Sequence, residues 1–324
     1  MKKLVSTTLV MIFGLLLLTA CQETEKEATE DNQTDTTTAE AATGEEITIG
    51  TLPAEAALPI ILAHENGYFA SLGVNVSIKT FTSPNDRNVA LQANELDAAI
   101  GDVMTAAAFV DRGMDLKITS DINEDFKILS SPASDVTSME ALDQKSVSLV
   151  PNFILEYIMD EFADMHDFSY DIVEIPSFSG RAEALLSNQI DGVIFTEPQA
   201  GMLVEQGAHL LASSADAGIK GGTIFFTEAM LNDFPDDVRG FYTAYNQAID
   251  YMNETDATAY ADVLADYQFP AAMSSYIDSK TEPYQHAGVV DQDQFDSIIA
   301  WTLEKEQITQ SYSYEALTDF SVIN

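Results

Sequence analysis

The sequence predicts an α/β protein whose folded part forms two lobes with mostly parallel sheets. Three observations lead to this prediction. Short apolar runs typical of strands alternate with segments of helical periodicity, the pattern of parallel strands joined by helices. A pattern of residue types recurs 94 residues further along the chain. The folded part, from about residue 46 to residue 324, is also too long for one typical domain and suits two.

The alternation runs along the chain from residue 47 onward. Helical periodicity is clearest in residues 59–70 and 153–165. From Asp236 the pattern becomes mainly helical, with Trp301 as a packing residue. The predicted strands are the short apolar runs Ile47–Gly50, Val74–Ile78, Ala98–Ile100, Leu116–Thr119, Val147–Val150, Ile172–Ile175, Gly192–Phe195 and Leu210–Ala212.

The repeat pairs residues 83–100 with residues 177–194, and Ser, Arg, Ala, Leu, Asn, Asp and Ile recur at the same offsets. In each copy the Ser is expected to cap a helix and the Asn to take the left-handed conformation that ends it. The Ala and Leu are expected to face the core, and the Asp precedes a short apolar strand. The spacing is too long for a solenoid and indicates one such unit in each of two similar lobes.

The N-terminus has the features of a secretory signal. Lys2 and Lys3 precede an apolar stretch, Leu4 to Leu18, which at about 15 residues is shorter than the roughly 20 that cross a bilayer as a helix. Cys21 is the only cysteine. It is the last residue of Leu18-Thr19-Ala20-Cys21, which resembles a bacterial lipobox, in which lipid is attached to the cysteine. We therefore expect a lipoprotein signal peptide over residues 1–20 and a lipid anchor on Cys21. The alternative is a plain signal peptide with an incidental cysteine.

An acidic segment follows the cysteine. Residues 21–46 are rich in Thr, Ala, Glu and Asp, so we expect a disordered tether between the anchor and a folded body beside the extracytoplasmic face of a membrane. The formal net charge of the chain is −39, spread along its whole length. This charge excludes nucleic acid as an expected partner, because phosphate contacts need basic patches, and it favours a soluble monomer.

A carboxylate follows each repeated strand, Asp102 in the first copy and Glu197 in the second. Open α/β sheets bind ligands at the carboxyl ends of their strands, so these two side chains could lie on opposite walls of one cleft. Helix starts at Ser83, Asn152 and Ser179 would point there as well, with backbone N–H groups that favour anions. The alternative for Glu197 is the first turn of the next helix, where the helix dipole stabilises it. Arg87 and Arg181 of the repeat are expected to form surface or structural ion pairs, with ligand contact as the alternative.

The chain resembles the bacterial solute-binding lipoproteins of ABC importers in the nitrate, sulfonate, taurine and thiamine-precursor family. The resemblance covers the folded region and rests on residues 49–53, 59–69, 73–76, 91–99, 191–198 and 207–211.

The resemblance implies a type II periplasmic-binding-protein fold, with two α/β lobes around a ligand cleft and a C-terminal helical segment. The chain would cross between the lobes near residues 121–131 and 217–222. The implied division is lobe 1 (47–125), lobe 2 (126–219) and a return to lobe 1 with the C-terminal helices (220–324).

The implied function is capture of a small organic solute by lobe closure, followed by delivery to a membrane permease whose partner hydrolyses ATP. A ligand-sensing lipoprotein of the same fold is the alternative. The solute could be a sulfonate, a nitrate-like ion, an amine or a heteroaromatic vitamin precursor. Because the candidate loops carry carboxylates and little Lys, we expect a neutral or cationic molecule. The candidate ligand-binding residues are Leu52, Glu55, Ser83, Asn85, Asp102, Asn152, Phe153, Ser179 and Glu197.

Nothing in the sequence argues for catalysis. It has no Gly-x-x-x-x-Gly-Lys-Ser/Thr loop and no Gly-x-Ser-x-Gly elbow. Its four histidines share no metal-ligand spacing, so we expect no metal and no cofactor. The resembled family includes a pyrimidine synthase that relies on a Cys-rich motif, and this chain has no such motif. We therefore expect a binding protein and not an enzyme.

Overall fold

The computed structural model describes residues 42–323. The predicted signal peptide, Cys21 and residues 22–41 of the predicted tether lie outside the described residues. None of the described helices is long and apolar enough to cross a bilayer.

The strands of the described residues form two five-stranded sheets. The order in the first lobe is β2-β1-β3-β10-β4, and in the second lobe it is β7-β6-β8-β5-β9. The strands are β1 (Glu46–Thr51), β2 (Asn75–Thr80), β3 (Ala98–Asp102), β4 (Leu116–Asp121), β5 (Lys127–Ser130), β6 (Lys145–Leu149), β7 (Tyr170–Glu174), β8 (Gly192–Phe195), β9 (His209–Ser213) and β10 (Gly222–Thr227).

Helices cover the sheets and make up most of the chain after β10. They are α1 (Leu58–Glu65), α2 (Tyr68–Ser71), α3 (Pro84–Gln92), α4 (Val103–Asp111), α5 (Ile154–His166), α6 (Phe178–Leu186), α7 (Gln199–Glu205), α8 (Ser214–Ala217), α9 (Glu228–Asp233), α10 (Pro235–Glu254), α11 (Ala261–Asp266), α12 (Ala272–Ser279), α13 (Gln292–Glu304) and α14 (Tyr314–Leu317).

Each sheet contains one strand that runs against its neighbours. β10 pairs antiparallel with β3 and β4, and β5 pairs antiparallel with β8 and β9, whereas β1, β2 and β3, like β6, β7 and β8, pair in parallel. Both antiparallel strands enter directly after the chain has crossed from the other lobe. The prediction of two α/β lobes with mostly parallel sheets and a helical C-terminal segment is confirmed.

The two copies of the repeat have the same local structure. Ser83 Oγ accepts a hydrogen bond from Asp86 N at 3.2 Å, and Ser177 Oγ accepts one from Gly180 N at 3.1 Å, so each serine caps its helix. Asn94 and Asn188 end these helices with φ of 55° and 54°. The predicted caps and left-handed turns are confirmed.

The repeated aspartates join each unit to the neighbouring strand. Asp97 Oδ2 accepts from Thr48 N at 2.8 Å at the start of β1, and Asp191 Oδ2 accepts from Ser146 N at 2.9 Å at the start of β6. In each case the Asp also donates its own N–H to the same residue's carbonyl at 2.9 Å. The same pair of contacts therefore fixes where the strands β3 and β8 begin.

The chain passes between the sheets twice, from β4 to β5 and from β9 through α8 to β10. Glu124 holds these two connections together, because its Oε1 accepts from Gly221 N at 2.7 Å and from Gly222 N at 2.9 Å. A Cβ at Gly222 would lie 2.3 Å from Glu124 Oε2 and 2.6 Å from Ile122 Cδ1, so a larger residue there would have to displace these two side chains.

The described chain begins with a clamp on the first lobe. Thr43 N and Thr43 Oγ1 donate to Asp237 Oδ2, and Gly44 N donates to Oδ1, all at 2.9 Å. Asp237 is 0% exposed and lies in the first turn of α10, where the helix dipole also favours a carboxylate. The segment that precedes β1 is thereby fixed to the start of the longest helix of the first lobe.

Candidate functional site

A cavity of about 110 Å³ lies between the two lobes, where strands of both sheets end. Most of its wall is apolar and includes four phenylalanine rings. The first lobe contributes Leu52, Arg87, Ile100 and Asp102, the connections contribute Ile122, Glu124 and Phe126, and the second lobe contributes Val150, Phe153, Ile154, Phe178, Arg181, Ile194 and Phe195.

The repeated unit explains why these elements converge. The helices α3 and α6 each place an arginine at their fourth residue, and β3 and β8 each end at the cavity. Arg87 is 2% exposed and Arg181 is 0% exposed. Ligand-binding sites of open α/β sheets lie at such strand ends. The surface part of the expectation of surface or structural ion pairs is wrong, because both side chains are buried.

Arg87 has hydrogen-bond partners in its own lobe. Its Nη1 donates to Ile100 O, while its Nε and Nη2 donate to Asn88 Oδ1 at 3.0 Å and 2.8 Å. Burial lowers the pKa of Arg87 to about 10, and the nearby Asp102 charge acts in the opposite direction. Arg87 therefore stays charged at neutral pH and is tied into the wall of the cavity.

Arg181 has no hydrogen-bond partner for Nε, Nη1 or Nη2 within residues 42–323. The guanidinium carbon lies 5.2 Å from the centroid of the Phe178 ring and 4.8 Å from that of Phe195. Burial lowers its pKa to about 10, which leaves it charged at neutral pH. A buried, unpaired charge is costly, so this side chain is suited to an anion that enters the cavity.

Asp102 takes a structural role at the junction of the lobes. Its Oδ1 accepts from Thr105 N at 2.7 Å and caps α4, and its Oδ2 accepts from Ile154 N of the second lobe at 3.4 Å. Burial raises its pKa, which the Arg87 charge and the hydrogen bonds oppose. Both oxygens of this carboxylate are thus occupied by backbone amides.

Glu124 is a buried carboxyl in the wall of the cavity. Its Oε1 is occupied by the two glycine amides, whereas its Oε2 is buried and has no partner in the described part of the chain. Burial raises the pKa of Glu124 to about 7, against the effect of the two amide donors and of Lys220. This carboxyl therefore changes between its charged and neutral forms near neutral pH.

Three of the predicted ligand residues, Leu52, Asp102 and Phe153, line this cavity. Four other predicted residues lie outside its wall: Ser83 caps α3, Asn85 lies in the first turn of that helix, Asn152 lines a separate cavity and has a φ of 67°, and Ser179 lines a surface pocket beside Met202. Ligand contact by any of these residues stays a prediction.

Glu55 and Glu197 face each other across the rim of the cleft, where Glu55 N donates to Glu197 O at 3.1 Å. We call Glu55, Lys127, Glu197, Tyr276, Lys280 and Tyr284 the rim cluster. Lys280 Nζ lies 3.0 Å from Glu55 Oε1, which also accepts from Tyr284 OH at 2.7 Å. Lys127 Nζ lies 2.7 Å from Glu197 Oε1 and 4.5 Å from the centroid of the Tyr276 ring.

The second oxygen of Glu197 accepts from Gly201 N at 2.8 Å. This contact is the helix-start role that the sequence offered as the alternative for Glu197. Tyr276 OH donates to Glu55 Oε2 of the first lobe at 3.0 Å, and its ring lies beneath Lys127 of the second lobe, so α12 joins the two rims. The rim cluster thus holds the lobes together on one side of the cavity.

A second set of contacts joins the lobes through α5 and α13. Lys305 Nζ lies 2.6 Å from Glu156 Oε1 and 2.8 Å from Asp160 Oδ2, and Trp301 Nε1 donates to Asp160 Oδ2 at 2.9 Å. The Tyr157 and Trp301 rings meet edge to face at 5.7 Å. The structure therefore has the lobes in contact on both sides of the cavity.

Arg87, Arg181 and Glu124 are the charged groups of the cavity wall that the sequence-based list missed. The repeat could have identified Arg181, because this residue occupies the position of Arg87 in the second copy. An aromatic residue, Phe178, also lies three residues before it. Glu124 carried no such signal, since its position depends on how the two connections meet. Among residues 42–323 no group of three or more His, Cys, Asp or Glu side chains could hold a metal ion.

Comparisons with known proteins agree with this architecture. A family model described as NMT1/THI5 like matches residues 55–259. No curated protein sequence matches the chain.

Three solved structures are similar at low sequence identity. The ligand-binding component of an ABC-type import system from Staphylococcus aureus, with zinc bound, has a TM-score of 0.72 and 13% identity over 86% of this chain and 97% of that one. The alkanesulfonate-binding protein SsuA from Xanthomonas axonopodis pv. citri, bound to MOPS, has a TM-score of 0.71 and 15% sequence identity, with 82% of this chain and 94% of that chain covered. The periplasmic nitrate-binding protein NrtA from Synechocystis PCC 6803 has a TM-score of 0.69 and 13% sequence identity, with 84% of each chain covered. These likenesses show that the chain has the fold of periplasmic binding proteins.

Proposed function

The chain belongs to the NMT1/THI5-like family, and from this premise we propose that it is the solute-binding component of an ABC importer. The observation that carries the proposal is the unpartnered Arg181 in a cavity enclosed by both lobes. A charge buried without a partner is costly unless a ligand supplies one. The site therefore favours a small solute with an anionic group, whereas the loops alone favoured a neutral or cationic one.

The solute is captured by lobe closure. In an open form, water hydrates Arg181, and the apolar walls lie apart. When the lobes close about the two connections, the solute replaces that water, and the Glu55–Glu197 backbone contact, the Lys127–Tyr276 contact and the Lys305 contacts form across the cleft. The cavity offers no paired nucleophile and base, so the protein binds its solute without chemical change and passes it to a permease.

The N-terminal features set the place of action. We propose that lipid on Cys21 anchors the chain on the extracytoplasmic face of the cell membrane, and that residues 22–41 let the two lobes reach the permease. The tether predicted to end at residue 46 is shorter, because Thr43 and Gly44 bind Asp237 and Glu46 begins β1. The strongly acidic chain acts as a monomer.

A ligand screen tests the proposed binding. The full chain, extracted in mild detergent, is first analysed by mass spectrometry under denaturing conditions for a carried solute. It is then unfolded thermally with sulfonates, nitrate, carboxylates, amines, amino acids and the thiamine pyrimidine. A ligand at about 100 times its Kd adds roughly 2.7 kcal/mol of stability. We expect at least one anion to do so and to reduce the radius of gyration in solution scattering. A folded, ligand-free chain that responds to no compound would contradict the proposal.

Import and anchoring need separate measurements. A strain that lacks the gene should lose uptake of the ligand found in the screen, and the wild-type gene should restore it. Cys21→Ser should release the chain from the membrane fraction and prevent incorporation of labelled palmitate, while ligand affinity stays the same. Normal uptake in the deletion strain, with a lost transcriptional response to the ligand, would favour the sensing alternative instead.

A further inference from the structure

We propose that Phe178 and Phe195 are positioning residues for Arg181, whose charge they hold in place without hydrogen bonds. We call these two phenylalanines the ring pair. The inference rests on the proposed function, in which an anionic group of the solute meets Arg181. It names the side chains that keep this charge where the solute finds it, and it assigns no further contact with the solute.

The guanidinium of Arg181 lies against both rings. Its Cζ lies over the Phe178 ring at 5.2 Å from the centroid and over the Phe195 ring at 4.8 Å. A cation within about 6 Å of a ring centroid is attracted by the negative potential of the ring face, and more strongly where water is excluded. Since this attraction requires no acceptor atom, it acts on a guanidinium whose three nitrogens have no hydrogen-bond partner among residues 42–323.

The second lobe supplies all parts of this arrangement. Phe178 is the first residue of α6 and Arg181 is the fourth, a spacing that places both side chains on one face of the helix. Phe195 is the last residue of β8, and its ring meets that of Phe178 at an interplanar angle of 71° with the centroids 6.2 Å apart. The ring pair therefore moves with Arg181 when the lobes open or close, and the charge keeps its position in both forms.

The two copies of the repeat differ at the positions of the ring pair. At the same offsets the first copy has Pro84 and Gly101. A Cβ at Gly101 would lie 2.5 Å from Phe225 Cε1, so a ring at this position would have to displace that side chain. In the described part of the chain, no cation–ring contact includes Arg87. The rings therefore occur in the copy whose arginine lacks hydrogen bonds, and not in the copy whose arginine has them.

The kind of partner matters for an anion site. Burial lowers the pKa of Arg181 to about 10, as it does for Arg87, where the charge of Asp102 opposes the effect. A ring face also favours the charged form of a guanidinium, but it adds no negative charge of its own. The ring pair thus offsets part of the desolvation cost of Arg181 and leaves its full positive charge to attract an anion.

A double-mutant cycle with fluorinated phenylalanine tests the contact in the ligand-free full chain, extracted in detergent. Phe178 is replaced by its mono-, di- and trifluorinated forms, because fluorine withdraws negative potential from the ring face with little change of shape. We expect the folding equilibrium constant from urea unfolding to fall stepwise, by about tenfold for the trifluorinated ring. The matched background is Arg181→Met, in which the series should change this constant by less than about twofold. Equal slopes in the two backgrounds would overturn the proposal, since ring packing alone would then explain them.

Nuclear magnetic resonance locates the charge in the same chain. The sequence has four arginines, so selective carbon labelling gives four Cζ signals, of which Arg181→Met removes one. We expect the Arg181 signal upfield of the other three, because it lies over two ring faces, and we expect Phe178→Leu to reduce this displacement. Phe178→Tyr restores a ring and should retain it. An Arg181 signal that lies among the others in the wild type, or that Phe178→Leu leaves unchanged, would overturn the proposal.

Anion binding tests the positioning role itself. Calorimetry with nitrate, methanesulfonate and acetate compares the wild type with Phe178→Leu and Phe178→Tyr. We expect Phe178→Leu to weaken the binding of an anion by about tenfold and Phe178→Tyr to stay within about twofold of the wild type. An anion that binds the wild type and a folded Phe178→Leu equally well would overturn the positioning role and leave the proposed function standing. The fluorine series and the wild-type signal remain decisive if Phe178→Leu does not fold. A wild-type chain that binds none of the three anions, and none of those in the ligand screen, would contradict the proposed function and the inference together.

Discussion

Arg87 and Arg181 occupy the same position in the two copies of one structural unit, yet their surroundings differ. Both follow a capping serine, both are buried, and both point into the cavity between the lobes. Arg87 has hydrogen-bond partners in the first lobe, whereas Arg181 has none among residues 42–323.

Two substitutions between the copies account for much of the difference. Asn88, which accepts two of the Arg87 hydrogen bonds, corresponds at the same offset to Ala182, and Asp102 corresponds to Thr196. One copy of the unit therefore supplies partners for its arginine, and the other supplies phenylalanine rings. The comparison teaches that the same scaffold can make an arginine structural in one lobe and leave it for a ligand in the other.

The largest expected effect is on solute affinity. Arg181→Gln should lower the affinity for the anionic ligand found in the screen by about 100-fold, because two hydrogen bonds to a charged group contribute roughly 3 kcal/mol. Calorimetry measures it, with Arg239→Gln as the surface control. A change of less than threefold would place the anion elsewhere and break the comparison.

For the stability of the ligand-free chain, Arg87 is expected to matter more than Arg181. Arg87→Met should lower the free energy of unfolding by about 2 kcal/mol, because Ile100 O loses its donor and Asp102 loses a nearby positive charge. Arg181→Met should raise it, since it removes a buried charge that has no partner. Urea unfolding of the ligand-free chains measures both values. A similar loss in the two variants would mean that Arg181 is also structural.

Exchange of the partners sharpens the comparison further. Ala182→Asn combined with Thr196→Asp gives Arg181 the two partner types that Arg87 has. The double variant should bind the anionic ligand about tenfold less tightly, because the guanidinium is then partly satisfied within its own lobe. Ala182→Ser is the matched control for size. Undiminished affinity in a folded double variant would show that these two positions do not decide the difference.

The pH dependence separates Arg181 from Glu124, the two charged residues of the cavity wall that have polar atoms without a partner among residues 42–323. The pKa of Arg181, about 10, keeps it charged from pH 5 to 8, whereas Glu124 titrates near 7. Because the folded pKa of Glu124 lies above its ordinary value of 4.5, the folded chain binds more protons, and this group's contribution to stability falls as pH rises from about 4.5 to 7.

Asp121 and Lys220 also act on Glu124, and Asp102 titrates in the same direction, so only a difference between variants isolates it. Urea unfolding at pH 5 and pH 8 should show a smaller loss of stability in Glu124→Gln than in wild type. Equal losses in the two chains would assign the titration to Asp102 or another group.

The smallest effects should be the same in both lobes. Ser83→Ala and Ser177→Ala each remove a helix cap and should each lower the free energy of unfolding by about 1 kcal/mol. Threonine at either position is the conservative control. A clear inequality between the two serines would show that the units differ in more than the surroundings of their arginines.

The repeated units could be predicted from the sequence because their signals are local. A serine, an asparagine and an aspartate at fixed offsets specify a cap, a left-handed turn and a strand start without reference to the rest of the chain. The strands β5 and β10 were not predicted. β5 has only four residues, and each of these strands is defined by neighbours that lie far away in the sequence.

The site was less predictable from the sequence, because several of its contacts join residues that lie far apart along the chain. Leu52, Asp102 and Phe153 lie at or within four residues of a strand end, and the rule about strand ends placed them at the cavity. Glu55 and Glu197 satisfied the same rule, but Lys280 and Lys127 from distant parts of the chain bind them at the rim. The unpaired state of Arg181 depends on what is absent around it, which only the assembled lobes determine.

The clamp on Asp237 has a mechanical consequence. A force applied to the chain before residue 43 acts first on the three hydrogen bonds from Thr43 and Gly44 to Asp237, and only then on β1. The load therefore passes into the first turn of α10, a 20-residue helix that packs along the first lobe, and spares the ladder between β1 and β2. Such a force would displace the first lobe as a rigid body and would not open the cleft.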